Sequence, residues 1–226
     1  NKTTPKTSAP ALADAMELFR PYAEAGREIV CFSISAGMST SGNVMRLAAE
    51  ELGASDRIKV IDSANLSTGI GLLVIEAAIM AKNNRTASQI VSEIEKLKPN
   101  VRASFVVDTL TYLYRGGRCN AVAAMAGGVL KLHPRIVVED GAMNASKKYR
   151  GKIASVVMNY VKDMEKDLKK ARPERVFITH SGCEQETVEK VRAYLKELDI
   201  FDEILETRAG GVVSSHCGPG TLGVLY

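Results

Sequence analysis

Two short apolar runs, each emptying into a loop of hydroxyl and glycine residues, constrain this chain more than any other feature. Ile29–Ile34 leads into Ser35-Ala36-Gly37-Met38-Ser39-Thr40-Ser41-Gly42, and Ile58–Ile61 leads into Asp62-Ser63-Ala64-Asn65-Leu66-Ser67-Thr68-Gly69. After the first loop, Val44, Leu47, Ala48 and Leu52 mark one helical face. After the second, residues 69–81 are almost wholly apolar or small, which predicts a helix buried on most sides. Strand, loop and helix repeated in this order predict an α/β fold. Hydroxyls and closely approaching backbone N–H groups suit a small anionic head group. Neither loop contains Lys or Arg, which favours a weakly charged, oriented anion over a polyphosphate. A third stretch of the same character, Ser214–Thr221, surrounds a single imidazole, His216, and is read as a loop.

The rest of the chain continues the alternation. Pro10 suits the first turn of a helix whose face is Leu12, Met16 and Phe19, and Pro21 is expected to kink or end it. Thr86-Ala87-Ser88-Gln89 has capping-box spacing ahead of Ile90, Ile94 and Leu97, and Pro99-Asn100 stops that helix. Val101–Val107 reads as a strand, and Asp108-Thr109-Leu110 opens a short helix ended by Gly116-Gly117. Residues 121–130 are small and apolar, consistent with a buried helix. Pro134–Glu139, turning at Asp140-Gly141, predicts a hairpin with a partner strand near Ala142–Ser146. Ile153, Val156, Val157, Tyr160, Val161, Met164 and Leu168 keep the helical period, with Lys162, Asp163, Lys166, Lys169 and Lys170 on a solvated face. Val176–Thr179 reads as a strand and Ser181-Gly182-Cys183-Glu184 as a second capping box, opening a helix that buries Val188, Val191 and Leu195. Glu203–Thr207 and Leu222–Tyr226 complete the strands. The change from strand–loop–helix units to shorter mixed elements places a domain boundary near residue 99, giving domains 1–98 and 99–226.

Composition narrows the function classes. The chain has 226 residues, a net charge of +4, 5% aromatics and no Trp. That leaves little material for stacking on nucleic-acid bases, so nucleic acid is not an expected partner. Cys31, Cys119, Cys183 and Cys217 stand far apart, which suits reduced thiols in a cytoplasmic protein. No metal is expected, because only His216-Cys217 places two candidate ligands together and adjacent residues make poor co-ligands. No run of apolar residues is long enough to span a membrane. The start, Asn1-Lys2-Thr3-Thr4, reads as a fragment of a longer chain or one whose beginning was removed.

Taken in order, the pieces resemble the DegV family of bacterial lipid-binding proteins. They are Lys6-Thr7-Ser8-Ala9-Pro10, Ser35-Ala36-Gly37-Met38-Ser39 and Asp62-Ser63 through Gly71. Val107-Asp108-Thr109-Leu110 follows, with Tyr112-Leu113 and Gly116-Gly117-Arg118, then Leu130-Lys131-Leu132-His133-Pro134 and His216–Gly223. The resemblance covers residues 5–226. It implies a parallel-sheet first domain and a mixed-sheet second domain, with one long-chain fatty acid in an apolar tunnel between them. It further implies that Thr7, Ser39 and His216, with Ser8 beside them, hold the carboxylate, and that Gly37, Asp62, Ser63, Cys217 and Gly218 support the loops. A partner fatty acid kinase would phosphorylate the bound carboxylate for phospholipid metabolism, so the chain itself would be non-catalytic, without a cofactor, and a monomer when free. Arg118 and Arg150 are candidates for docking that kinase; Lys147 and Lys148 lie in the same basic patch as Arg150. Departures are the absent opening strand, Thr40 where the family often has glycine, Cys217 where it often has threonine, and Pro21 within the first helix.

Tail and head group have separate roles on this reading. Burying about 15 methylenes at roughly 0.8 kcal/mol each is worth on the order of 12 kcal/mol before association costs. The head group then has only to avoid an unpaired buried carboxylate. Other readings of the same residues stay open: Ser8 as a helix cap, Ser39 as a turn serine, His216 as a structural imidazole, and Arg118 as a helix-end cap. The rival enzymatic reading is a serine hydrolase acting on a lipid or acyl substrate through Ser39 and His216, although no G-x-S-x-G elbow is present. A phosphate- or sugar-binding module and a structural interaction protein are the remaining alternatives.

Overall fold

The computed structural model describes residues 5–118 and 132–226. The stretch 121–130 and Cys119, both read above, lie outside the described residues. The chain divides into an N-terminal unit, Thr7–Val101 with Asp140–Ala142, and a C-terminal unit made chiefly of Arg102–Glu139 and Met143–Tyr226.

The N-terminal unit contains α1 (Leu12–Glu24), β1 (Ile29–Ser33), α2 (Ser41–Glu51), β2 (Ile58–Asp62), α3 (Ser67–Lys82) and α4 (Ala87–Leu97). β1 and β2 pair in parallel, Ile29 opposite Ile58 and Ser33 opposite Asp62. Successive strand residues point to opposite faces, and here both faces are covered, so each strand carries apolar residues on both. Ile29, Cys31, Ile58 and Val60 pack with Phe19 of α1 and Ala48 and Ala49 of α2. Val30, Phe32 and Ile61 pack with Leu73 of α3 and Ile90 and Ile94 of α4.

Three expectations for this unit need correction. Pro10 precedes α1 rather than starting it, since Ala11 is the N-cap. Pro21 neither ends nor visibly breaks α1; it removes one N–H near the last turn, and Ala25 N–H still reaches the Pro21 carbonyl at 3.2 Å. α3 is buried on one side only: Leu72, Leu73 and Ala77 are in the core while Val74 and Ile79 stay exposed. Only its inner face meets β1, β2 and α4. The capping box of α4 does form, with Gln89 N–H on Thr86 Oγ1 at 3.3 Å and Thr86 N–H on Gln89 Oε1 at 3.1 Å.

The C-terminal unit contains β3 (Ala103–Val106), α5 (Thr111–Gly116), β4 (Leu132–Glu139), β5 (Ala142–Arg150), α6 (Ile153–Asp163), α7 (Glu165–Leu168), β6 (Arg175–Ser181), α8 (Gln185–Glu197), β7 (Glu203–Arg208), α9 (Gly211–Cys217) and β8 (Thr221–Leu225). Its mixed sheet has the order β5-β4-β3-β8-β6-β7, with β6 and β7 parallel and β8 antiparallel to both β3 and β6. The hairpin between β4 and β5 turns on Asp140 (φ 50°) and Gly141 (φ 74°), the two left-handed positions that a type I′ turn requires.

On one sheet face Val106, Val176, Ile178, Leu222 and Val224 meet Val156, Val157, Tyr160 and Val161 of α6 and Val188, Val191 and Leu195 of α8. The long amphipathic stretch is two helices rather than one, because the chain tightens at Met164: its N–H bonds Val161, three residues back, and Asp167 N–H bonds Met164. The second capping box does not form. Ser181 is held in β6 opposite Thr221, Gly182 turns at φ 67°, and α8 starts after Glu184 without a side-chain cap.

Tyr160 fixes the helix layer to the middle of this sheet. It is fully buried, and its phenol donates to the Ser104 carbonyl at 2.7 Å and accepts Val224 N–H at 3.0 Å. Ser104 and Val224 are partners in the β3–β8 register. Tyr160→Phe leaves a buried carbonyl and a buried N–H without this partner, an expected loss of about 1–3 kcal/mol of stability. Urea unfolding of the variant checks it.

Candidate functional site

In the N-terminal unit the two hydroxyl loops leave the carboxyl ends of adjacent parallel strands, where open α/β sheets collect ligands. Asp62, the last residue of β2, ties them together. Its carboxylate accepts Ala36 N–H from the first loop at 3.3 Å and Ala64 N–H from the second at 2.9 Å. Ser63 Oγ donates to the Asn65 carbonyl at 3.2 Å, Asn65 Oδ1 accepts Leu66 N–H at 3.0 Å, and Ser35 N–H bonds the Asn65 carbonyl at 2.9 Å. Asp62 and Ser63 therefore set the shape of the loops rather than capping α3. Buried Ser35 donates to the Gly141 carbonyl at 2.5 Å, and Gly37 N–H returns to Ser35 Oγ at 3.2 Å.

Ser39 ends the first loop, half-buried, with buried Met38 before it. Its Oγ lies 2.8 Å from Ser41 Oγ and accepts Ser41 N–H at 3.2 Å. Thr7 is half-buried and Ser8 exposed in the irregular segment ahead of α1. Ser8 is not the helix cap, since Ala11 holds that position.

In the C-terminal unit the strand register gathers a second set of loops along one sheet edge. Val106 pairs Leu222, Ser181 pairs Thr221 and His180 pairs Arg208, so the ends of β3, β6 and β7 lie beside the start of β8. His216 approaches this edge from α9, a helix where the sequence suggested a loop. Hydrogen bonds from Ser214 Oγ to the Ala209 carbonyl (3.0 Å) and from Gly218 N–H to the Ser214 carbonyl (2.8 Å) hold that short turn.

α9 packs on α5 through two glycines. A Cβ at Gly116 would stand 2.1 Å from His216 Nδ1, and one at Gly218 would stand 2.2 Å from the Tyr112 ring. Gly218 also needs φ 79°, whereas of the Gly116-Gly117 pair only Gly117 takes the left-handed turn, at φ 65°. Buried Cys217 accepts Thr221 Oγ1 on its carbonyl at 3.0 Å.

The imidazole's Nδ1 is buried against Gly116. Burial and the nearby Arg118 guanidinium hold His216 below the ordinary imidazole range. Arg118 donates to the Gly116 carbonyl at 2.6 Å, so it caps α5 as well as standing exposed. At the start of the same helix, Thr109 Oγ1 accepts Thr111 N–H at 3.2 Å with the two hydroxyls 2.9 Å apart, the same arrangement as Ser39 and Ser41. Arg150 is exposed at the end of β5, while Lys147 of the same patch pairs with Asp163 at 2.5 Å.

Other reactive groups serve the fold. His133 is buried between the Val107 and Gly151 carbonyls at 3.2 and 3.0 Å, and His180 Nδ1 accepts Cys183 N–H at 3.3 Å. Burial pushes the Cys31 and Cys183 thiols up to about 11. Among the described residues no cluster of three or more His, Cys, Asp or Glu could hold a metal, and no helix is long and apolar enough to cross a membrane.

The sequence model of the DegV family matches residues 1–226, the whole chain. The chain belongs to the DegV family. A DegV domain-containing protein of Deinococcus radiodurans is 31% identical over 224 residues, covering 99% of this chain and 78% of the relative. The structure of a fatty-acid-binding DegV family protein from Thermus thermophilus matches with a TM-score of 0.88 at 27% identity, over 98% of this chain and 78% of that one. A stearic-acid-binding protein from Eubacterium ventriosum matches with a TM-score of 0.84 at 27% identity, over 99% and 78%. The α/β fold, with a parallel two-stranded sheet and a mixed six-stranded sheet, is that of DegV structures.

Sequence reasoning passed over Ser35, Ser41, Asn65, Tyr112 and the contact of Gly116 with His216. The hydroxyl spacing of Ser39 and Ser41 was a usable signal for one of them. The others depend on contacts that no local pattern encodes.

Since its folded-state pKa is lowered, the unfolded chain takes the His216 proton first as pH falls. His216 therefore contributes stability above the ordinary imidazole pKa, near 6.5, and loses it as pH drops through the folded value. Arg118→Ala removes one of the two causes. The His216 resonance in an NMR titration should move its midpoint upward, towards the ordinary value, and an unchanged midpoint would contradict the assignment.

Proposed function

We propose that this protein binds one long-chain fatty acid in an apolar tunnel, with Thr7, Ser8, Ser39 and His216 holding its carboxylate. The carboxylate is then presented to a partner kinase in the cytoplasm, which converts it to an acyl phosphate for phospholipid metabolism. The protein acts as a monomeric, non-catalytic subunit and needs no cofactor. The observation that carries this reading is the fold shared with fatty-acid-binding DegV proteins, together with neutral donors at the carboxyl ends of the strands. Ser39 offers a hydroxyl in a loop without cations, and a half-buried His216, whose proton affinity is lowered, offers an imidazole rather than a cation.

Neutral donors suit a carboxylate that has to react. An Arg clamp would bind it more tightly but would draw charge from the oxygen that attacks the phosphoryl group. The charge environment of His216 also favours binding over hydrolysis. A serine hydrolase orients its histidine with a carboxylate that stabilises the imidazolium, whereas Arg118 acts on this imidazole to oppose that form. Arg118 and Arg150, both exposed, are proposed as docking points for the kinase.

Native mass spectrometry of protein purified from bacteria, followed by solvent extraction, should show one long-chain fatty acid per chain. Ser39→Ala and His216→Ala should each reduce that occupancy. Full occupancy in both variants would remove these residues from the site, and protein free of lipid after gentle purification would remove the ligand itself.

A further inference from the structure

We propose that Ser41 is a positioning residue that turns Ser39 into an obligate hydrogen-bond donor towards the ligand's head group. The inference rests on Ser39 being a carboxylate-binding residue. A serine hydroxyl has one proton and two lone pairs. Ser41 N–H occupies one lone pair of Ser39 at 3.2 Å, and the two hydroxyl oxygens lie 2.8 Å apart, so one of them donates to the other. When the Ser41 hydroxyl is the donor, both lone pairs of Ser39 are filled. Its only remaining capacity is its own proton, which needs an acceptor.

The pair therefore has two arrangements. Without a ligand the Ser39 proton turns onto Ser41 and the two hydroxyls satisfy each other. With a carboxylate in place the direction reverses, and Ser41 donates to Ser39, which donates to the ligand. Donors in such a chain polarise one another, so the last proton becomes a stronger donor. The arrangement uses only local geometry, as its recurrence at Thr109 and Thr111 demonstrates. It also makes no call on helix capping by Ser41 itself, because the backbone N–H that bonds Ser39 survives any substitution other than proline.

Head-group selectivity follows. A carboxylate is acceptor-only and fits a donor with no free lone pair. An alcohol of the same chain length can also donate, and Ser39 with filled lone pairs gives its proton nothing to reach. Ser41→Ala reopens one lone pair, which weakens the acid and improves the alcohol.

The test is displacement of a fluorescent fatty-acid analogue by oleate and by oleyl alcohol from native protein, Ser39→Ala, Ser41→Ala, Ser41→Thr and the double Ala variant. Ser41→Ala should weaken oleate about threefold to tenfold, the worth of one hydrogen bond, while oleyl alcohol binds as well or better. Ser41→Thr should restore oleate binding, and the double variant should be no weaker than Ser39→Ala alone, since Ser41 acts through Ser39. Native-like oleate binding by Ser41→Ala beside a weakened Ser39→Ala overturns the inference and leaves the proposed function standing. Unchanged oleate binding by Ser39→Ala overturns the site assignment beneath both.

Discussion

The Asp62 carboxylate is the constraint on which the N-terminal loops depend. A backbone N–H in a turn takes its acceptor from a side chain, the backbone or water. Asp62 accepts from Ala36 and from Ala64, and so joins the loop after β1 to the loop after β2. Ser35 and Asn65 complete the link from the two sides. With the loops fixed by their own side chains, Ser39 sits at the start of α2 in one defined place, and no cation is required to hold the turn. The same bonds explain why hydroxyl, amide and carboxylate residues crowd this part of the sequence.

The C-terminal unit reaches a comparable result by different means. Its polar edge is assembled by sheet register and by two short helices that could not persist alone, since six or seven residues are too few for an isolated helix. α5 and α9 stabilise each other by close approach, which the absent side chains of Gly116 and Gly218 permit. The imidazole is thereby pressed onto a backbone, with its Nδ1 buried against Gly116. Glycine does as much to define this histidine as any polar neighbour.

Legibility in the sequence followed locality. The strand–loop–helix alternation, the type I′ turn at Asp140-Gly141 and the Thr86–Gln89 capping box all depend on residues within a few positions of each other, and all were readable. α9 was not, because Gly210-Gly211 at its start and the hydroxyls within it favour loop over helix. Its helical form comes from packing against α5, about a hundred residues earlier. Ser181 resembled a helix cap by spacing alone, but pairing with β8 keeps it in a strand. Asp62 and Ser63 could be picked out from their loop as residues that fix it, whereas Gly218 entered only through the family resemblance. The bond from Ser35 to Gly141 spans 106 positions and left no trace in any window of sequence.

Tyr160 gives the C-terminal unit its mechanical character. A phenol wedged between a carbonyl of one strand and an amide of the next leaves thermal motion no seam along which helix layer and sheet could part separately. Lifting α6 away strips a partner from both central strands at once, from the Ser104 carbonyl and from the Val224 amide. The edge to which α9 brings His216 is mounted on a sheet whose two central strands and helix layer are tied at one phenol.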